Sequence, residues 1–222
     1  MSIKRKILNA LNAILALMFP IECIGCNTEG VFLCDNCLAS IPIHKTIVPF
    51  EHPLQYLDNI ITAADYQQTL VQKAIHYFKF RYITELAKPL SYLLINCYRQ
   101  INIDLIKVIV VPVPLNKKRL LERGFNQSAL LSECFARHFG LTCHAEIIER
   151  FRPTPHQVGL NKQQRQINVK NSFKIIKPEL VKNKNIILID DVVTTGSTLE
   201  EVAKTLKQNG AQKVIGLVVA KD

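Results

Sequence analysis

The chain has no apolar run long enough to cross a bilayer. The uncharged stretch near its amino end, Ile7 to Ile21, carries Asn9 and Asn12 and falls short of the roughly 20 residues that a spanning helix needs. A cleavage site is missing too: Lys4-Arg5-Lys6 opens like a signal peptide, but Glu22-Cys23 stand where small residues would be required. A cytoplasmic chain in a reducing compartment is therefore expected. Two nucleotide-binding motifs are absent, since neither G-x-x-x-x-G-K-[ST] nor G-x-G-x-x-G occurs. Acids are scarce: 18 Asp and Glu stand against 28 Lys and Arg, for a net charge of +10. That excess draws anions without choosing among phosphate-rich small molecules, nucleic acid and anionic lipid.

At 222 residues the chain can bury one α/β core with a small appendage. In residues 1–19, Ile7, Leu8, Leu11, Ile14, Leu15 and Met18 recur on one helical face, which predicts an amphipathic helix. Such a helix packs on the rest of the chain or lies on the inner face of a membrane. Behind it, Cys23, Cys26, Cys34 and Cys37 form two C-x2-C knuckles separated by seven residues. Four thiolates so spaced suit one tetrahedral ion, and structural zinc is the expected occupant; an iron–sulfur cluster is the alternative. A reducing compartment disfavours two disulfides. Cys97, Cys134 and Cys143 have no partner at ligand spacing and read as core thiols.

Ile60–Tyr66 reads as a strand, and Leu70–Phe80 and Leu86–Cys97 as helices. Val108–Val111 is a buried strand, followed by a loop that turns basic at Lys117-Lys118-Arg119. A helix over Ala129–Phe139 and a strand at Ile147–Arg150 come next, then a long polar loop from Phe151 to Ser172. Ile186–Ile189 and Val214–Ala220 are two more buried strands, with a helix through Leu199, Val202, Ala203 and Leu206 between them. Strands and helices alternate from 108 onward, which predicts a doubly wound parallel sheet. The basic residues Lys117, Lys118, Arg119, Arg123, Arg150, Arg152, Lys162, Arg165 and Lys170 are expected to border one site, although about half of them would serve equally as solvated surface.

Ile186–Leu206 carries the chemistry. A buried strand stops at Asp190-Asp191, a hydroxyl-rich turn follows in Thr194-Thr195-Gly196-Ser197-Thr198, and a helix begins. Free backbone N–H groups at a helix start favour an anion, and Gly196 permits close approach. Two neighbouring carboxylates suit a vicinal diol, one hydrogen bond to each acid. Together they fit a ribose and its 5′-phosphate.

Leu188-Ile189-Asp190-Asp191-Val192-Val193-Thr194-Thr195-Gly196-Ser197-Thr198 resembles the phosphoribosyl pyrophosphate (PRPP) signature of type I phosphoribosyltransferases. Pro112-Val113-Pro114-Leu115, then Arg123-Gly124-Phe125-Asn126-Gln127, with the four-cysteine finger in front, resembles the ComF subgroup of that class. The resemblance implies that Asp190 and Asp191 hold the ribose hydroxyls and that Thr194 through Thr198 wrap the 5′-phosphate, with magnesium accompanying PRPP. It implies a diphosphate subsite near Pro114, Arg119 and Arg123, and a mobile loop bearing Arg152 and Arg165. The division it implies is an amphipathic helix and finger over 1–50, a hood over 51–105 built outside the common core, and a catalytic-type core over 106–222. Thr194 stands where purine transferases place an acid, and no aromatic or polar cluster in the sequence can be assigned to an acceptor base. Two readings stay open. One is a phosphoribosyltransferase acting in DNA uptake. The other is a non-catalytic module of the import machinery that engages single-stranded DNA, or helicase and translocation proteins, while retaining a ribose-phosphate site.

Overall fold

The computed structural model describes residues 20–44, 47, 54–101, 106–152 and 169–222. The expected amphipathic helix and most of the long polar loop lie outside the described residues. The chain runs through α1 (Asp35–Ala39), β1 (Asn59–Asp65), α2 (Thr69–Phe80), α3 (Ala87–Ile101) and β2 (Val108–Pro112). It continues through α4 (Lys117–Arg123), α5 (Gln127–Phe139), β3 (Thr142–Cys143), β4 (Ile148–Arg150) and β5 (Phe173–Ile175), then β6 (Asn185–Val193), α6 (Ser197–Gln208) and β7 (Lys213–Lys221).

Five strands form one parallel sheet in the order β1-β7-β6-β2-β3. Alternate residues of each strand feed two cores. Ile187 and Ile189 of β6 face the core built with α2, α3 and α5, whereas Ile186 and Leu188 face the core completed by α6. Burial on both faces explains why these strands read as continuous apolar runs. From β2 the chain winds outward to β3, and from β6 it winds outward to β7, so the order reverses between β2 and β6. Ligands of open parallel sheets bind at the carboxyl ends of strands beside such a reversal.

Four local features differ from the sequence reading. The 51–105 stretch does not stand outside the core: β1 is the edge strand of the main sheet, paired with β7, and α3 packs on α5. The basic stretch after β2 is helical. Asn116 caps α4 by accepting from the Lys118 N–H at 2.8 Å, and Gly124, at φ +76, ends it in a left-handed conformation that glycine adopts without strain. The strand at Ile148–Arg150 leaves the sheet and pairs antiparallel with β5, forming a ribbon at the base of the polar loop. The place at the sheet edge goes to β3, two residues that are too short a run to give a strand signal.

Candidate functional site

Strand β6 carries the acid pair to its carboxyl end. In register, Ile189 is the last residue paired with β2, opposite Pro112, so Asp190 emerges just where β2 gives way to its loop. Gly196 then turns the chain at φ +76 into α6. A side chain there would be strained, which ties the turn to glycine. Ser197 donates its backbone N–H to Thr195 Oγ1 at 3.4 Å, and the two hydroxyl oxygens lie 2.6 Å apart. The turn is thus a concave set of hydroxyls at the start of a 12-residue helix.

Each acid uses one oxygen within the protein. Asp190 Oδ1 accepts from Ser128 Oγ at 2.7 Å and from the Asp191 N–H at 3.0 Å. Asp191 Oδ1 accepts from the Val192 N–H at 2.7 Å and pairs with Lys79 Nζ at 2.8 Å. No described residue donates to the second oxygen of either acid, so two acceptors remain for a ligand. Burial pushes the Asp190 carboxyl up to about 7, helped by the charge of Asp191 and opposed by the Ser128 hydrogen bond and by Lys79.

These groups line a cavity of about 390 Å³. The phosphate-type turn Thr194–Thr198 forms one wall. Pro114, Arg119, Arg123 and Arg150, together with Lys79, Phe80, Gln127 and Ser128, complete it. Four cations thus face two carboxylates. Arg150 is buried, and burial, followed by the nearby charge of Arg119, lowers it to about 10 while Asp190 holds it up. Arg123 is lowered mainly by burial, with Asp191 opposing and Arg119 adding to the effect. The Arg123 guanidinium sits 5.4 Å above the Phe80 ring.

The structure brings Asp190, Asp191, Thr194–Thr198, Pro114, Arg119 and Arg123 around one cavity. Arg152 does not line it; its guanidinium lies 5.6 Å over the Phe151 ring, and Arg165 falls outside the described residues. Lys117 and Lys118 are exposed and also absent from the lining. Sequence reasoning missed Lys79 and Ser128. Lys79 falls in the last turn of the Leu70–Phe80 helix, where any helix favours a cation, and Ser128 follows the Arg-Gly-Phe-Asn-Gln motif by one position.

The four knuckle cysteines form a second centre. Their sulfurs lie within 4.8 Å of one another, as a tetrahedral metal with bonds of about 2.3 Å would require. Burial raises the Cys23 thiol, but N–H donors from Cys34, Gly25 and Cys26 outweigh it and bring the group down to about 6. Hydrogen bonds with Cys26 and Cys34 push Cys37 up to about 12. Four such thiols ionise together only around a cation. Gly25 fits that purpose: a Cβ there would lie 2.7 Å from Cys37 Sγ. The cluster could hold a metal such as zinc. Its flanking residues Leu33, Leu38 and Ile41 belong to the same core as α2 and α3.

Sheet order, cleft position and acid-pair turn define the class, a phosphoribosyltransferase-type α/β protein with a small four-cysteine subdomain. Residues 140–222 match the phosphoribosyl transferase domain. The chain is 36% identical to the DNA utilization protein YhgH of Escherichia coli over 189 residues, covering 82% of this chain and 81% of that one. It is 29% identical to competence protein F of Haemophilus influenzae, covering 88% and 82%. A solved structure of the allosteric regulatory enzyme of purine biosynthesis is 16% identical with a TM-score of 0.45; the alignment covers 65% of this chain and 30% of that one. The chain belongs to the ComF family, with these DNA-utilization and competence proteins.

Proposed function

We propose that this protein binds PRPP and catalyses phosphoribosyl transfer in the handling of incoming DNA. One observation supports the reading above others: a single cavity gathers two free carboxylate oxygens, a hydroxyl turn at a helix start and a set of arginines. In this reading Asp190 and Asp191 hold the ribose hydroxyls, and Thr194–Thr198 hold the 5′-phosphate. Arg119 and Arg123 stabilise the diphosphate as the C1–O bond breaks and its electron pair leaves with it, while the lone pair of an acceptor nucleophile, water where no other is bound, forms the new bond at C1. Among the described residues the only metal-ligating group of three or more is the cysteine cluster, so magnesium would ride on the oxygens of PRPP itself. Zinc would occupy the cysteines. The names of the relatives support a role in DNA uptake.

Calorimetric titration with PRPP, with and without magnesium, followed by an assay for pyrophosphate released as water takes the ribosyl group, tests this reading. Saturable binding with release is expected. Absence of binding by a folded protein would overturn it. Binding without release would favour the second reading, a module that uses PRPP as a ligand while its basic surface engages single-stranded DNA or import proteins. That reading draws support from α4, whose Lys117, Lys118, Leu120 and Leu121 are exposed outside the cavity.

A further inference from the structure

Lys79 has no assigned role, yet it occupies the cavity. It stands in the last turn of α2, more than 100 residues before the acid pair, and the wall it forms is not part of the sheet. Its Nζ lies 2.8 Å from Asp191 Oδ1, with the lysine side chain 21% exposed and the aspartate 10%. An ammonium carries three donors. Asp191 is the one partner it has among the described residues, so two donors remain, in a cavity lining.

The charge balance around Asp191 points the same way. Arg123 lies near enough to feel the charge of Asp191, and its guanidinium sits over Phe80, next to Lys79 in sequence. Lys79 pairs with this carboxylate directly, and Arg123 adds a second positive charge nearby. Arg119 adds charge from the side of Arg123. A surplus of partly buried cations is stabilised by an anionic ligand. The hydroxyl turn accounts for one anionic group of such a ligand, and the surplus is carried by other elements of the lining, α2 and α4. A second anionic group, separated from the first by the diol, matches it.

We infer that Lys79 is a ligand-contacting residue, bridging Asp191 and the diphosphate of a sugar that carries anionic groups at both ends. The inference rests on the PRPP reading and extends it to the α2 wall. One donor of Lys79 stays with Asp191 Oδ1, and the other two meet oxygens of the diphosphate on C1, the carbon next to the diol. The site then distinguishes a diphosphorylated ribose from ribose 5-phosphate through a residue that the sheet motif does not contain.

The test titrates PRPP, inorganic pyrophosphate and ribose 5-phosphate into wild type, Lys79→Met and Lys79→Arg, with thermal melts to confirm folding. In Lys79→Met, PRPP and pyrophosphate should each weaken roughly ten- to hundredfold, while ribose 5-phosphate changes by less than about threefold. Lys79→Arg should recover most of the loss, since it keeps charge and donors. Equal weakening of PRPP and ribose 5-phosphate would overturn the inference, because it would reduce Lys79 to a support for Asp191. Unchanged PRPP affinity in a folded Lys79→Met protein would overturn it while leaving the PRPP reading intact. A wild type that binds neither PRPP nor pyrophosphate would remove both.

Discussion

Asp190 concentrates opposing demands in one side chain. Its carboxyl keeps its proton up to about pH 7 in the folded chain, against about pH 4 in an unfolded one. A raised acid stabilises the fold below its unfolded value and loses that contribution as pH climbs through its folded value. Asp190→Asn cannot ionise. Its melting temperature relative to wild type should therefore rise between pH 5 and pH 8; a difference that stays flat across that range would contradict the assigned environment. For binding, Asp190→Ala with Asp191→Ala removes charge-assisted hydrogen bonds of about 1.5–3 kcal/mol each, before non-additivity. Calorimetry should show PRPP and ribose 5-phosphate affinity collapsing. Gly196→Val should also abolish binding, by strain at φ +76 and by blocking the approach of a phosphate.

At the scale of elements, the finger offers the clearest test. Metal analysis of the purified protein should find one zinc per chain, and Gly25→Ala should reduce zinc retention in a chelator competition, because its methyl would press against Cys37 Sγ. Full zinc retention in that variant would argue against the four-sulfur arrangement. The finger, the acid pair and the hydroxyl turn were legible in sequence because each is local: ligands, turn and helix start lie within a few residues. The buried strands were legible for a similar reason, since two covered faces leave unbroken apolar runs such as Ile186–Ile189. Lys79 and Ser128 were not, because their meaning arises only when α2 and α5 close against β6. Nor was the exit of β4 from the sheet. Its apolar pattern is the same whether it pairs in parallel or in a ribbon, and β3 has too few residues to announce itself.

At the scale of the whole molecule, the basic excess shows two faces among the described residues. Part turns inward to the cavity as Arg119, Arg123, Arg150 and Lys79. Lys117 and Lys118, on the outer side of α4, remain available to a larger polyanion. Labelled single-stranded DNA should bind without sequence preference, and its affinity should fall steeply with salt as phosphates are neutralised. Lys117→Glu with Lys118→Glu should weaken that binding and leave PRPP titrations unaltered. Salt-insensitive binding would point to a different surface. Among the described residues no helix is long and apolar enough to cross a membrane.

Helix α2 touches both centres. Leu70, in its first turn, packs beside Gly25 of the finger, and Lys79 and Phe80, in its last, line the cavity. Twelve residues of helix make a rod about 18 Å long, too stiff to shift at one end alone. Loss of the metal should therefore be felt as a change in sugar-phosphate affinity at a distance. By thermodynamic reciprocity the ligand should then raise the equilibrium affinity for zinc, read against a competing chelator, by the same factor that zinc tightens the ligand. A finger that looks like a clasp on the fold would in that case also set how tightly the cleft at the far end of α2 holds a ligand.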